Sequence, residues 1–342
     1  MKFQLLILFL FLVQFLFSQT DQVKIATVGF YNLENLFDTE NDTLINDEEF
    51  LPDGHNRWTE DKYQEKLTNM AYVISQIGIE TVPSGLSILG VSEIENRKVL
   101  EDLVNQPSIK DRNYKIVHHD SPDKRGIDVG LLYNPEHFKL TRYSDHEVNI
   151  LYNGKKGYTR DVLLVSGLLD GEEVHILVNH WPSRRGGEQA SAPKRLKAAI
   201  VNRKIVDSLM LIDPDAKIII MGDLNDDPTN ISVKNGLRAA RKKRGAKTTG
   251  LYNPMYDFYR RGIGSNAYRD NWSLFDQLII SEGLLNDDKG YHYFKANVFN
   301  KRFLIQRSGR YKDYPFRTFS GNTYQGGYSD HFPVYMYLIK KV

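Results

Sequence analysis

The stretch KIIIMGDLNDDP, Lys217 to Pro228, constrains this chain more than any other segment. Ile218, Ile219, Ile220 and Met221 are apolar without alternation, the pattern of a strand covered on both faces. Gly222 then releases the backbone, and Asp223, Asn225, Asp226 and Asp227 follow in a tight loop. A buried strand that ends in hard oxygen donors can hold a divalent cation and a water on rigid scaffolding. An acidic surface turn after a core strand would look the same locally, so the rest of the chain must decide.

Elsewhere the patterning mixes hairpins and helices. Val23 to Tyr31 reads as a strand running into Asn32, Leu33 and Glu34. Thr59 is placed to cap a helix whose Tyr63, Leu67, Met70, Ala71, Ile74 and Ile77 share one face. Leu86 to Val91 is a strand ending in Ser92-Glu93, Val99 to Val104 reads as helical, and Tyr114 to His118 and Ile127 to Tyr133 read as extended. Val162 to Leu169 and Val174 to Asn179 form a hairpin about Asp170-Gly171. A helix is expected from Pro193 to about Leu211, and Phe275 to Ile280 and Val334 to Ile339 are the last strands expected. Sheets packed face to face with helices outside account for this mixture better than an alternating parallel sheet does.

Residues 1–19 read as a secretory leader: a basic start, an apolar centre short for a bilayer span, and a small residue near the cut. Residues 20–342 then form the mature domain, which is secreted or periplasmic. The chain has no Cys, so disulfides and thiolate zinc sites are excluded. Charge is nearly balanced, 45 Lys plus Arg against 43 Asp plus Glu, and no global field draws the protein to nucleic acid. Local charge is less even. Arg238 to Lys247 is a basic run, and Lys301 to Arg317 is a looser one interleaved with Phe303, Tyr311, Tyr314 and Phe316. Interleaved cations and rings suit a polyanion with stacked bases, although charge runs are often only solvated faces.

Acids, amides or imidazoles recur at strand ends: Asn32 and Glu34, Glu93, Asp128, His180, Asp223 and Asn225, Asp276, and Asp330-His331. Singly, each has a plain structural reading, such as a capping acid at Glu93 or a satisfied core imidazole at His331. Jointly they mark an active-site edge.

In order along the chain, FYNLENLFD, GVSEIEN, KRGIDVGLLYN, NHWPSRRGG, MGDLNDDP, FDQLIIS and YSDHFPV resemble the metal-dependent endonuclease/exonuclease/phosphatase superfamily, from about Val23 to the C-terminus. The resemblance implies a four-layer α/β sandwich, two central mixed β-sheets flanked by helices, with the site at one edge. It implies metal ligation by Glu93, with Asn32, Glu34 and Asp330 completing that metal pocket. It gives catalytic roles to Asp223 and Asn225, which orient water and a phosphate oxygen, and to His331 paired with Asp276. A second catalytic histidine, His180, is expected to be supported by Asp128. Arg160 matches a phosphate-binding arginine, and Arg184 and Arg185 add guanidiniums whose planar forks suit phosphate oxygens. His55, His118, His119 and His292 read as surface or loop residues, with His118-His119 near enough to Arg125-Gly126 to border the cleft.

These roles agree with the chemistry. A phosphodiester resists attack because its anionic oxygens repel a nucleophile, so its hydrolysis needs positive charge at phosphorus and a base beside water. Carboxylate and amide oxygens suit Mg²⁺ or Mn²⁺, with Ca²⁺ also compatible, better than zinc. The expectation is therefore a secreted, monomeric, metal-dependent phosphodiesterase acting on nucleic acid, with no stable protein partner. A phosphatase or lipid phosphodiesterase on the same scaffold is the alternative, and a non-catalytic binding module is a third reading disfavoured by the complete set of competent residues.

Overall fold

The structure, a computed structural model, describes residues 22–152 and 154–342, and the leader expected at 1–19 lies outside them. Twelve strands build two six-stranded mixed sheets. They are β1 (Val23–Leu36), β2 (Ile88–Ile94), β3 (Lys115–His118), β4 (Asp128–Tyr133), β5 (Phe138–His146), β6 (Val162–Leu169), β7 (Glu172–His180), β8 (Ile218–Asp223), β9 (Leu251–Tyr252), β10 (Asp276–Ser281), β11 (His292–Val298) and β12 (Val334–Lys341). The first sheet runs β11-β12-β1-β2-β4-β3 and the second β9-β10-β8-β7-β6-β5. In each, one central pair is parallel, β1 with β2 and β7 with β8, and the flanking pairs are antiparallel.

Alternation of side chains across a strand turns this order into layers. From β8, Ile219 and Met221 enter the core between the sheets, and Ile218 and Ile220 enter the core on the outer face. The apolar run is thus continuous because both faces are covered. Burying each such side chain is worth about 1.5–3 kcal/mol. β1 behaves likewise, with Val28 and Phe30 between the sheets and Tyr31 and Leu33 outside. The sheets approach closely at Gly90, where a Cβ would lie 2.4 Å from Met221 Sδ. Helices α1 (Glu60–Gln76) and α2 (Arg97–Val104) cover the first sheet. Helix α3 (Glu188–Ile212) covers the second. This completes a four-layer α/β sandwich.

Several elements differ from the sequence expectation, among them strand β5, whose exposed FKLTRYSDH carries no apolar run, and the short β9. Helix α3 starts at Glu188 and contains Pro193 within its opening turns, where Ser191 Oγ donates to Gly187 O at 2.7 Å. A proline near a helix start breaks few bonds, so it marks the boundary poorly. Strand β11 was not foreseen: it is half exposed, and its HYFKANV carries no long apolar run. No helix among the described residues is long and apolar enough to cross a membrane.

Candidate functional site

The parallel strands β1, β2, β7 and β8 end where the antiparallel β10 and the segment before β12 begin. One rim therefore collects residues from six places in the sequence. Register fixes the neighbours: Asp223 pairs with His180 on one side and Asp276 on the other. Gly222 permits the close packing here, since a Cβ on it would lie 2.3 Å from Asn179 O.

Local backbone strain aims the acids. The β1–β2 register shifts between Asn32 and Leu36, and the β2–β4 register shifts between Ser92 and Ile94, so both strands bulge as they reach the rim. Within the bulges Glu34 and Glu93 adopt φ of 48° and 57°, and Asn225 adopts 49°. Non-glycine residues in this region cost free energy and cluster where a side chain must be re-aimed. The Asn35 N–H donates to Glu93 Oε2 at 3.1 Å. Asn32 Nδ2 bridges Glu93 Oε1 and Asp223 Oδ2 at 3.1 and 3.2 Å. His180 Nε2 lies 3.7 Å from each of those carboxylates. Donor atoms of Glu93, His180 and Asp223 thus fall within 4.8 Å of one another.

Beside this group, His331 Nδ1 and Asp276 Oδ2 are 2.6 Å apart and buried, and His331 Nε2 is 3.9 Å from both Asp223 Oδ2 and Asp330 Oδ1. Burial opposes protonation of His331, but Asp276, Asp330 and Asp223 outweigh it and raise the imidazole well above its usual range. A charged His331 donates through Nδ1 to Asp276 and holds Nε2–H toward the rim. His180 behaves oppositely: burial, then the Arg160, Arg125 and His331 charges, push it well below the usual imidazole range. Burial lifts Asp223 to about 7; His331 and the Asn225 amide oppose the rise, while Asp276 and Glu93 add to it. The Asn225 N–H donates to Asp223 Oδ1 at 2.9 Å, and Asn225 Nδ2 donates to Trp181 O at 3.0 Å.

Several expected roles change. Asp128 does not support His180, whose Nδ1 is buried without a partner. It binds His118 Nε2 at 3.2 Å, the Ser121 N–H at 2.9 Å and the Ser121 hydroxyl, because β3 is paired beside β4 and brings His118 to it. His118 is accordingly buried rather than a surface residue. Arg160 is a strut that spends three of its donors inside the protein, on Asp123 Oδ2 at 2.9 Å, His180 O at 3.1 Å and Trp181 O at 2.7 Å, while it also lines the cleft. Arg184 lines the cleft, is bound to Asn225 O, Glu188 and Asp227 and lies 4.6 Å over the Phe275 ring, so it braces the loop after β8. Arg185 is exposed on the cleft wall. Glu34, expected as a metal ligand, accepts the Thr318 N–H at 2.7 Å and lies 3.7 Å from Lys66 Nζ. Burial and Asp330 lift it to about 7 against Lys66 and Thr318.

Glu93, His180, Asp223, Asn225, Asp330 and His331 all line one cleft of about 910 Å³. Guanidiniums from Arg125, Arg185, Arg269 and Arg317 share its walls. Of the two basic runs, only Arg317 reaches this cleft; Arg241, Lys242 and Arg244 line a separate cavity of about 590 Å³. Lys66 was missed by sequence reasoning. It donates to Thr318 Oγ1 and Tyr328 O, and a lysine on the apolar face of α1, one residue before Leu67, was the available signal.

Comparison with known proteins follows this geometry. The profile described as Endonuclease/Exonuclease/phosphatase family matches residues 27–340. No curated protein matches the chain. Among solved structures, TDP2 from C. elegans superposes with a TM-score of 0.56 at 13% identity, covering 92% of this chain and 75% of that one. A mannosyl-6-phosphatase from Bacteroides thetaiotaomicron gives 0.55 at 17% identity, covering 92% and 99%. D. rerio TDP2, solved with a single-strand DNA product, gives 0.54 at 13%, covering 92% and 98%. At these identities the likeness speaks for the fold.

Proposed function

Because this chain belongs to the endonuclease/exonuclease/phosphatase family, whose members hydrolyse phosphoesters with a divalent metal, we propose that it is an exported Mg²⁺-dependent phosphodiesterase that cleaves nucleic acid. The observation that carries the reading is the Glu93, His180 and Asp223 cluster beside the 2.6 Å Asp276–His331 pair, on the floor of a cleft walled by guanidiniums.

The donor set fits a divalent cation. Asp223 is buried and Glu93 partly buried, and desolvation favours the protonated form of both, a cost that a cation between them offsets. Glu93 and Asp223 would hold the ion, with Asn32 fixing both carboxylates and Mn²⁺ tolerated through the His180 nitrogen. When bound, the ion supplies positive charge to the phosphoryl oxygens under attack.

The protein's own groups do the rest. Asp223 faces the attacking water and takes up its proton, and the Asn225 amide N–H holds its other oxygen in place. Charged His331, oriented by Asp276, offers Nε2–H to the oxygen on which charge builds. Arg125, Arg185, Arg269 and Arg317 receive the flanking anionic groups.

A phosphomonoesterase on the same scaffold is the second reading, favoured by the mannosyl-6-phosphatase neighbour. The test is a panel of plasmid DNA, RNA, an aryl phosphodiester and a sugar phosphate, each with EDTA and with Mg²⁺. Mg²⁺-dependent cleavage of the polynucleotides supports the proposal, whereas turnover of the sugar phosphate alone would replace it with the second reading.

A further inference from the structure

On the far side of the sandwich from β11, the edge strands β3 and β5 bring together His119, Asp145 and Asp161. His119 follows β3 directly. Asp145 lies in β5 opposite Leu163, and Asp161 stands two residues before Leu163, so the two aspartates are diagonal neighbours on one face. Leu163 belongs to the core between the sheets, so this face looks inward, toward the other sheet's edge. His119 Nε2 lies 3.5 Å from Asp145 Oδ2 and 4.0 Å from Asp161 Oδ2, and the three donor atoms fall within 4.8 Å of one another.

Little in the protein offsets the charge placed there: His119 and a backbone hydrogen bond from Val148 act on Asp161, and Lys156 acts on it only from beyond ion-pair distance. Neither aspartate has a lysine or arginine partner among the described residues; Glu147 adds a third acid nearby, and its own lysine is Lys156. Asp161 is only 7% exposed, and its Oδ1 is buried with no hydrogen-bond partner. An orphaned carboxylate oxygen beside a second carboxylate is costly unless a cation is bound. Burial and Asp145 raise the Asp161 carboxyl to about 6, with His119 and the Val148 backbone opposing. The neighbouring His118, Asp120 and Asp128 group is different in kind. There His118, Asp128 and Ser121 already satisfy one another, and Asp120 stands in solvent.

We propose that His119, Asp145 and Asp161 form a second metal site, distinct from the catalytic rim, which takes a divalent first-row transition ion such as zinc. One imidazole with two carboxylates is a mixed donor set that suits zinc better than calcium or magnesium. A tetrahedral ion with arms of about 2.0–2.2 Å separates its donors by roughly 3.3–3.6 Å. The 3.5 Å separation already meets this, and the 4.0 Å one meets it after a small contraction. His119 and Asp145 are partly exposed, which leaves an entry path and room for a water as the fourth ligand. The bound ion fastens the segment after β3 to the edge of the second sheet. Through the peptide link from Asp161 to Arg160 it also steadies the strut under His180 and Trp181.

The test uses the purified chain, stripped with EDTA and titrated with zinc chloride, with bound zinc measured by elemental analysis and unfolding followed by heating. The wild type should bind a zinc that survives in the Glu93→Gln/Asp223→Asn variant and in the solvent-side control Asp120→Asn. His119→Ala and Asp161→Asn should each lose that equivalent, together with the zinc-dependent rise in Tm. Asp161→Asn removes a buried charge, so its metal-free Tm should match or exceed the wild type, which separates lost binding from lost folding. Undiminished zinc stoichiometry in His119→Ala and Asp161→Asn, or loss of all tightly bound zinc in Glu93→Gln/Asp223→Asn, would overturn the site.

Discussion

Glu93, Asp223 and His331 lie 61 to 299 residues from Asn32, yet the rim holds them as one connected group. Glu93 and Asp223 share the Asn32 amide, and Asp223 lies 3.9 Å from the imidazole that Asp276 orients. Asp276 touches no cleft and acts through His331, so it is a positioning residue. Asp276→Asn should leave the protein folded and lower turnover by about 10²–10⁴-fold, with KM little changed; steady-state kinetics checks this, and an unchanged kcat would remove Asp276 from the account. At this scale the convergence of Glu93, His180, Asp223, Asp276 and His331 was legible, because an apolar run beside donors announces a strand end at a rim. The sequence was misleading for arginines. Arg160 and Arg184 look like phosphate ligands in sequence, but partners such as Asp123 and Asp227 lie 37 and 43 residues away, and only the fold brings them together. Asp128 was misassigned for the same reason: its histidine is set by strand pairing with β3.

Strands and their irregularities place these residues. Strands β1 and β8 and the hairpin of β6 with β7 could be read from the sequence, whereas the bulges at Asn32–Leu36 and Ser92–Ile94 could not, since no residue type there requires them. Edge strand β11 was hidden by its mixed polarity. The loop between β3 and β4 is tied to β7 by the Asp123–Arg160 pair, which is buried at both ends. Burial works against the Asp123 charge, but Arg160 and Arg125 outweigh it and hold the carboxyl below its ordinary value of 3.8. A depressed carboxylate contributes stability that is present above 3.8 and lost as pH falls through the lower folded value. Asp123→Asn, which leaves Arg160 buried and unpaired, should therefore cost about 3–5 kcal/mol at neutral pH. The difference from wild type should shrink below pH 4. Denaturant titrations at pH 7 and pH 3.5 measure both, and a gap independent of pH would show that the pair is not the cause.

The molecule as a whole is a sandwich whose layers bury strands on both faces and whose rim gathers acids, amides and imidazoles around one cleft. Near-neutral net charge leaves local guanidiniums, rather than a global field, to attract an anionic substrate. The family and the layered architecture were visible in seven ordered motifs, because each motif is a strand end with its donors. The division of the basic residues between two cavities was not, since it depends on where the segment from Lys234 to Gly245 folds back against Pro228 and Tyr256. The account rests on the rim being a metal-dependent hydrolytic centre built on Glu93 and Asp223. The direct test is the initial rate of hydrolysis of an aryl phosphodiester by wild type and Glu93→Gln, each stripped with EDTA and then returned to Mg²⁺, with circular dichroism to verify folding. The prediction is that wild type is silent without metal and recovers with Mg²⁺, while folded Glu93→Gln stays at least about 100-fold slower in both conditions. Comparable rates in the two proteins, or wild-type hydrolysis indifferent to EDTA, would contradict it.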